Sequence, residues 1–185
     1  ERMVLKIADA VENAMNDQRP ARIGFAEVDI AAAHEDRRCE DGLDYTNDRT
    51  PIVAIERDGS IDAIMLSYAI HGTVLGIDDL TLSQDVSGAI EHAIGQTFDH
   101  PVQVSMFNSW GADVSPGQPN VPLQAGAELP SGYQQMDEIG FEVATSVSEA
   151  IDQLVWDEVP DLWMRTYRVG IDRQLLGYES DVFPF

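Results

Sequence analysis

The sequence predicts an α/β fold with a mixed sheet and flanking helices, and three observations predict it. Apolar residues recur at helical spacing in separate stretches, compact strand-like runs stand between them, and the order strand, helix, strand, helix suits layered packing. With 185 residues, the chain fits one domain or one large piece of a larger domain. The pattern leaves strand direction and sheet order open.

Val4, Ile7, Ala8, Val11, Ala14 and Met15 share one helical face, while Arg2, Asp9, Asn13 and Asp17 can face water. A first helix is therefore predicted, ending before Pro20. Ala21 to Ile30 reads as a strand region. The polar stretch from His34 to Thr50 is long for a simple connection, and Gly42 and Asn47 interrupt it. It is expected to be a mobile surface loop or a segment ordered by a ligand or neighbour.

Ile52 to Glu56 and Ile61 to Ile70 are predicted to pair through Arg57-Asp58-Gly59-Ser60, because glycine accepts the positive φ of a tight hairpin. The second strand is expected to end directly at His71-Gly72-Thr73, which places an imidazole at a strand end. Ser83 is placed to cap the next helix, with Val86, Ile90, Ala93, Ile94 and Phe98 as its apolar stripe. Pro101 opens a compact strand, Val102 to Phe107, followed by a polar turn from Asn108 to Gly117. Beyond Gly126 and Pro130, helical spacing resumes at Met136, Ile139, Val143, Val147, Ala150, Ile151 and Leu154. Trp163 to Val169 reads as a final short strand. The apolar groups Leu175 to Tyr178 and Val182 to Phe185 are expected to pack on another piece of the same protein or a partner chain, or to complete the chain's own sheet.

Charge narrows the partners. The 33 acidic and 11 basic residues give a formal charge of -22, which repels a phosphate backbone and an anionic membrane surface alike. Nucleic acid is thus a poor partner. High surrounding salt, which screens self-repulsion, and a basic partner surface both accord with such a balance. Cys39 is the only cysteine, so one chain can form neither an internal disulfide nor a cysteine-based metal cluster. The longest apolar run, around Ala63 to Ile70, is far below the ~20 residues of a transmembrane segment. Cytoplasmic and exported locations both remain open. The chain opens on a helical repeat without Met or a signal-peptide pattern, so upstream residues are expected in a longer chain or another chain.

Two polar turns carry the candidate chemistry. His71 can bind a transition metal through a ring nitrogen or serve as a structural hydrogen-bonding residue. Neither His34, His92 nor His100 completes a ligand pattern by spacing, and a zinc centre ordinarily needs three or four protein ligands. Ser115 can act as a nucleophile or stabilise its loop, and Asp113 can orient a partner group. No Gly-x-Ser-x-Gly elbow, dinucleotide loop or Walker loop is present.

Taken in order, Ile70-His71-Gly72-Thr73, Leu82-Ser83-Gln84-Asp85-Val86-Ser87-Gly88 and Gly111-Ala112-Asp113-Val114-Ser115-Pro116-Gly117 resemble segments of the neutral/alkaline ceramidase family. The resemblance spans most of the chain, with its specificity in two short motifs, the one that runs from Ile70 on to Gly88 and the one at Gly111 to Gly117. It implies that residues 1–185 are a partial ceramidase-like catalytic domain, part of a larger one. It also implies His71 as one zinc ligand, Ser115 as the nucleophile and Asp113 as a supporting residue. Zinc can polarise a carbonyl and lower the proton affinity of an attacking hydroxyl, which suits hydrolysis of an N-acyl amide or lipid-like substrate.

Departures from the family pattern stand at Gln84, Trp110, Ala112 and Gly117. A large aromatic at Trp110 is expected to reshape the acyl or amine pocket. Arg37 and Arg38 lack the Asn-Arg-Ser context of the family's arginine turn. Its upstream His-x-His segment is not found in this chain, and Tyr178 and Glu179 follow Ser115 too closely to match its later ligands. The implied site is therefore expected to be completed by another segment or chain of the same enzyme, with an oligomer as one form. A catalytically inactive interaction domain on the same scaffold is the alternative function.

Overall fold

The structure is a computed structural model, which describes residues 2–36, 46–75, 80–111, 114–116, 132–161 and 164–166. In chain order its elements are α1 (Arg2–Asn16), β1 (Arg22–Asp29), β2 (His34–Asp36), β3 (Arg49–Arg57), β4 (Ser60–Tyr68), α2 (Asp85–Gly95), β5 (Gln103–Asn108), β6 (Val114–Pro116), α3 (Gly132–Ile151) and β7 (Val155–Asp157). Five strands form a mixed sheet in the order β5-β4-β3-β1-β7, and β2 pairs with β6 apart from it. Only β4 and β5 run parallel within the larger sheet; its other pairings are antiparallel.

The β3–β4 hairpin turns where the sequence places it. Asp58 at φ 53° and Gly59 at φ 82° both adopt the left-handed region that a two-residue hairpin turn demands. Alternation then decides which face is covered. Thr50, Ile52 and Ala54 of β3 are buried, and their β1 partners Val28, Ala26 and Gly24 lie on the same side. Against that face pack Val86, Ile90 and Ile94 of α2 and Val143 and Val147 of α3, so the core is one layer of helices on one face of the sheet. Burying each such side chain stabilises by about 1.5–3 kcal/mol. The two helices approach closely at Gly140, where a Cβ would lie 2.8 Å from the Ala89 carbonyl oxygen.

Several boundaries depart from expectation. β4 ends at Tyr68, and Ala69 and Ile70 continue as buried, non-strand backbone before His71. The Asn108 turn pulls the chain out of the ladder there: its Oδ1 accepts the Ile70 N–H at 3.3 Å, and the Ser109 N–H donates to the Tyr68 carbonyl. Ser83 sits just outside the helix start, with Gln84 at the cap position, and its Oγ accepts the Asp85 N–H at 2.9 Å. The start of the polar stretch from His34 is strand β2, because it finds a partner in β6. Met164 to Thr166 are not strand, and the remainder of that expected element lies outside the described residues. The last described strand is instead β7, whose Trp156 ring lies over Gly24 and under the Arg22 guanidinium, 4.6 Å from the ring centroid. Helix α1 forms over the expected span, yet none of its residues is buried and Met3, Val4 and Ile7 stay largely exposed.

Candidate functional site

The two polar turns of the sequence meet at one end of the sheet. His71 follows β4 and the Ser115 strand follows β5, and β4 and β5 are parallel neighbours, so the segments leaving them emerge on the same side. Direct bonds then join them. The His71 N–H donates to the Val114 carbonyl at 3.1 Å, and the residue after Val114 is Ser115. The His71 ring donates from Nδ1 to the Gly111 carbonyl at 2.6 Å. That same carbonyl accepts the Val114 N–H at 3.2 Å.

Gly111 is the pivot of this arrangement because nothing larger fits. A Cβ there would stand 2.9 Å from the Ile70 backbone nitrogen, 3.0 Å from Asn108 Oδ1 and 3.2 Å from the Ala69 carbonyl carbon. Its need is close approach between two backbones.

The Gly111 carbonyl fixes Nδ1 as a donor and so sets the orientation of the ring. A metal-ligating histidine is oriented in the same way, with its other nitrogen bonded to a backbone carbonyl. His71 therefore fits the role of a single zinc ligand. Among the described residues, no group of three or more His, Cys, Asp or Glu side chains is placed to hold a metal ion.

Ser115 lies at the centre of the β2–β6 ladder, opposite Glu35, with Pro116 opposite His34 and Val114 opposite Asp36. Its hydroxyl donates to the Glu35 carbonyl at 3.4 Å, a long bond that holds it weakly. Asp113, Ala112, Gly117, Arg37, Arg38, Cys39, Tyr178 and Glu179 lie outside the described residues. Trp110, next to Gly111 in the chain, is described and is 84% exposed.

Two residues gain roles that spacing did not assign. Asp85 adopts φ 54° and collects three backbone donors, from Val74 and Leu75 at 3.1 and 3.0 Å and from Val86 at 2.7 Å. It thereby ties the His71-Gly72-Thr73 loop to the start of α2; a short acidic side chain just after Ser83 was the available signal. Tyr68 is completely buried and its hydroxyl donates to the Ala32 carbonyl. Burial, with the negative charges of Asp48 and Glu142 behind it, pushes its phenol far above the ordinary value.

The grooves along α3 have no part in this site. One of about 570 Å³ lies between β1, β7 and the end of α3, lined by Phe25 and Val28 of β1, Ala150 of α3 and Val155 of β7, at the far side of the sheet from β4 and β5.

No protein-family model and no curated protein matches the sequence. Solved structures do share its fold. The crystal structure of neutral ceramidase from Pseudomonas aeruginosa superposes with a TM-score of 0.68 and 15% identity, over 80% of this chain and 25% of that one. A ceramidase complexed with C2 matches with a TM-score of 0.63 and 15% identity, over 77% of this chain and 24% of that one. The chain spans about a quarter of the length of these ceramidase chains. Its fold is ceramidase-like.

Proposed function

We propose that this chain carries part of the active site of a zinc-dependent N-acyl amide hydrolase, with a ceramide-like amide as the substrate class. In this proposal residues 1–185 form part of a larger catalytic domain, and another segment or chain of the same enzyme supplies the remaining ligands. One observation carries it: the implied ligand His71 and the strand bearing the implied nucleophile Ser115 are bonded to each other through Val114 and Gly111. The ceramidase-like fold supports the same reading.

His71 would hold the metal through Nε2, its ring fixed by the Gly111 carbonyl. Zinc bound there would supply Lewis acidity toward the amide carbonyl and the serine hydroxyl. The chain's own part is to present Ser115. Its hydroxyl leaves the weak bond to the Glu35 carbonyl and its oxygen bonds to the carbonyl carbon; the C–N bond breaks, the hydroxyl proton passes to the departing amine nitrogen, and the acyl group stays on the serine as an ester. Water then releases the acid and restores the serine. Asp113, two residues before Ser115, would support the turn.

The inactive interaction domain is favoured by a different observation, that the Ser115 hydroxyl already serves the β2–β6 ladder. Metal content of the assembly as isolated separates the two. Stoichiometric zinc lost on His71→Ala fits the enzyme, whereas an intact assembly without metal fits the interaction domain.

A further inference from the structure

We propose that His34 is a positioning residue for Ser115, acting through the β2–β6 ladder; this rests on the hydrolase reading of the same site. His34 had no assigned role by spacing, yet its side chain is only 1% exposed. Its ring stacks on Tyr68 with centroids 4.8 Å apart and planes 24° apart. Its Nδ1–H donates to Asp48 Oδ1 at 2.9 Å. The carboxylate is itself held, since Thr46 Oγ1 donates to the same oxygen at 3.2 Å. Nε2 is buried without a hydrogen-bond partner among the described residues, which is a cost to folding. An imidazole sustains that cost where its ring and its one donor are both in use.

These contacts close a circuit. Tyr68 anchors both His34, through the ring, and Ala32, through its hydroxyl. His34 begins β2, which pairs with β6 over three residue pairs centred on Glu35 and Ser115. Val114 of β6 then receives the His71 N–H, and His71 stands just past Tyr68 on the same strand end. A ladder this short has little stability of its own, so its position is set by what its two ends grip. One end is Val114 on His71; the other is His34 on Tyr68 and Asp48. Releasing the His34 ring leaves that end gripped, among the described residues, only through the Ala31 and Ala32 carbonyls, and so loosens the hold on Ser115.

Amide hydrogen exchange and kinetics on His34→Ala, His34→Asn and His34→Phe test this in the isolated chain and in the completed assembly. Asn retains a donor for Asp48 and Phe retains a ring for Tyr68. His34→Ala is expected to speed exchange at the ladder amides and at the His71 N–H, while Val53 and Ile64 in the large sheet stay protected. Turnover of an N-acyl amide should fall in kcat, by up to about 100-fold for a displacement near 1 Å, with KM little changed, and the Asn and Phe variants should each recover part of the loss. Should His34→Ala fold poorly, Asn and Phe carry the same comparison against the native chain. Unchanged exchange at Val114, Ser115 and His71 would overturn the proposal, as would a loosened ladder with native kcat. If the native assembly shows no amidase activity, the hydrolase reading fails while exchange still decides whether His34 holds the Ser115 strand.

Discussion

Gly111→Ala is the substitution that strains the site most directly. The added methyl would meet the Ile70 nitrogen at 2.9 Å and the Ala69 carbonyl carbon at 3.2 Å, both backbone atoms of the buried segment entering His71. Neither can swing aside as a side chain could, so the two backbones must separate by some tenths of an ångström. Overpacking of this kind costs about 1–3 kcal/mol. Each kcal/mol lowers Tm by about 2–4 °C in a chain of this size, so a fall of roughly 2–12 °C is expected. The same shift lengthens the 2.6 Å bond from His71 Nδ1 to the Gly111 carbonyl and disturbs the His71 N–H bond to Val114. Thermal unfolding followed by circular dichroism reads the first effect, and the imidazole ¹⁵N spectrum reads the second as a changed tautomer balance at His71. Native Tm together with an unchanged His71 spectrum would refute the role of Gly111 as pivot.

Ser115→Ala should abolish amide turnover in the completed assembly while leaving zinc content unchanged and stability within about 0.5 kcal/mol, because the hydroxyl's bond to Glu35 is long. Preserved single-turnover acylation in that variant would remove Ser115 as the nucleophile. His100 donates from Nδ1 to Asp99 Oδ1 and from Nε2 to the Ile61 carbonyl, an arrangement that needs both ring protons. Its pKa is raised, chiefly by the Asp99 hydrogen bond, and that of Asp99 is lowered, chiefly by His100. The His100 contribution to stability is therefore full below its unfolded value and lost as pH rises through its higher folded one. That of Asp99 is full above its unfolded value and lost as pH falls through its lower folded one. NMR titration should find His100 above its ordinary value and Asp99→Asn should bring it down; an unmoved midpoint would contradict the pairing. With a net charge of -22, raising salt from about 0.1 to 1 M shortens the Debye length from ~10 to ~3 Å and should raise Tm; a falling Tm would show that ion pairs outweigh self-repulsion.

Local chemistry made much of the fold legible. Asp58-Gly59 declared the hairpin because its two positive φ angles are a local requirement. The stripe Val86, Ile90 and Ile94 declared α2 because helical period and core face coincide. What escaped depends on partners far away in sequence. His34-Glu35-Asp36 is polar and three residues long, and it becomes a strand only beside Val114-Ser115-Pro116. Val155-Trp156-Asp157 is equally short and is defined by its pairing with β1.

At the site, the motif residues His71 and Ser115 were legible as separate turns, but the bonds through Gly111 and Val114 that join them were not. Spacing also could not reveal that His34 would be buried against Tyr68 while the apolar stripe of α1 stays exposed. Both outcomes are settled by tertiary packing, which overrides local periodicity.

The central claim is that Ser115, held beside His71, takes the acyl group of an N-acyl amide once the site is complete. Peptide mass spectrometry of the acid-quenched assembly, as isolated from its source and mixed with a labelled N-acyl amide, tests it most directly. An acyl ester is expected on the peptide containing Ser115, lost when zinc is chelated and absent in His71→Ala. Turnover of that substrate with the label on another residue, or with no covalent adduct formed in single-turnover conditions, would contradict it.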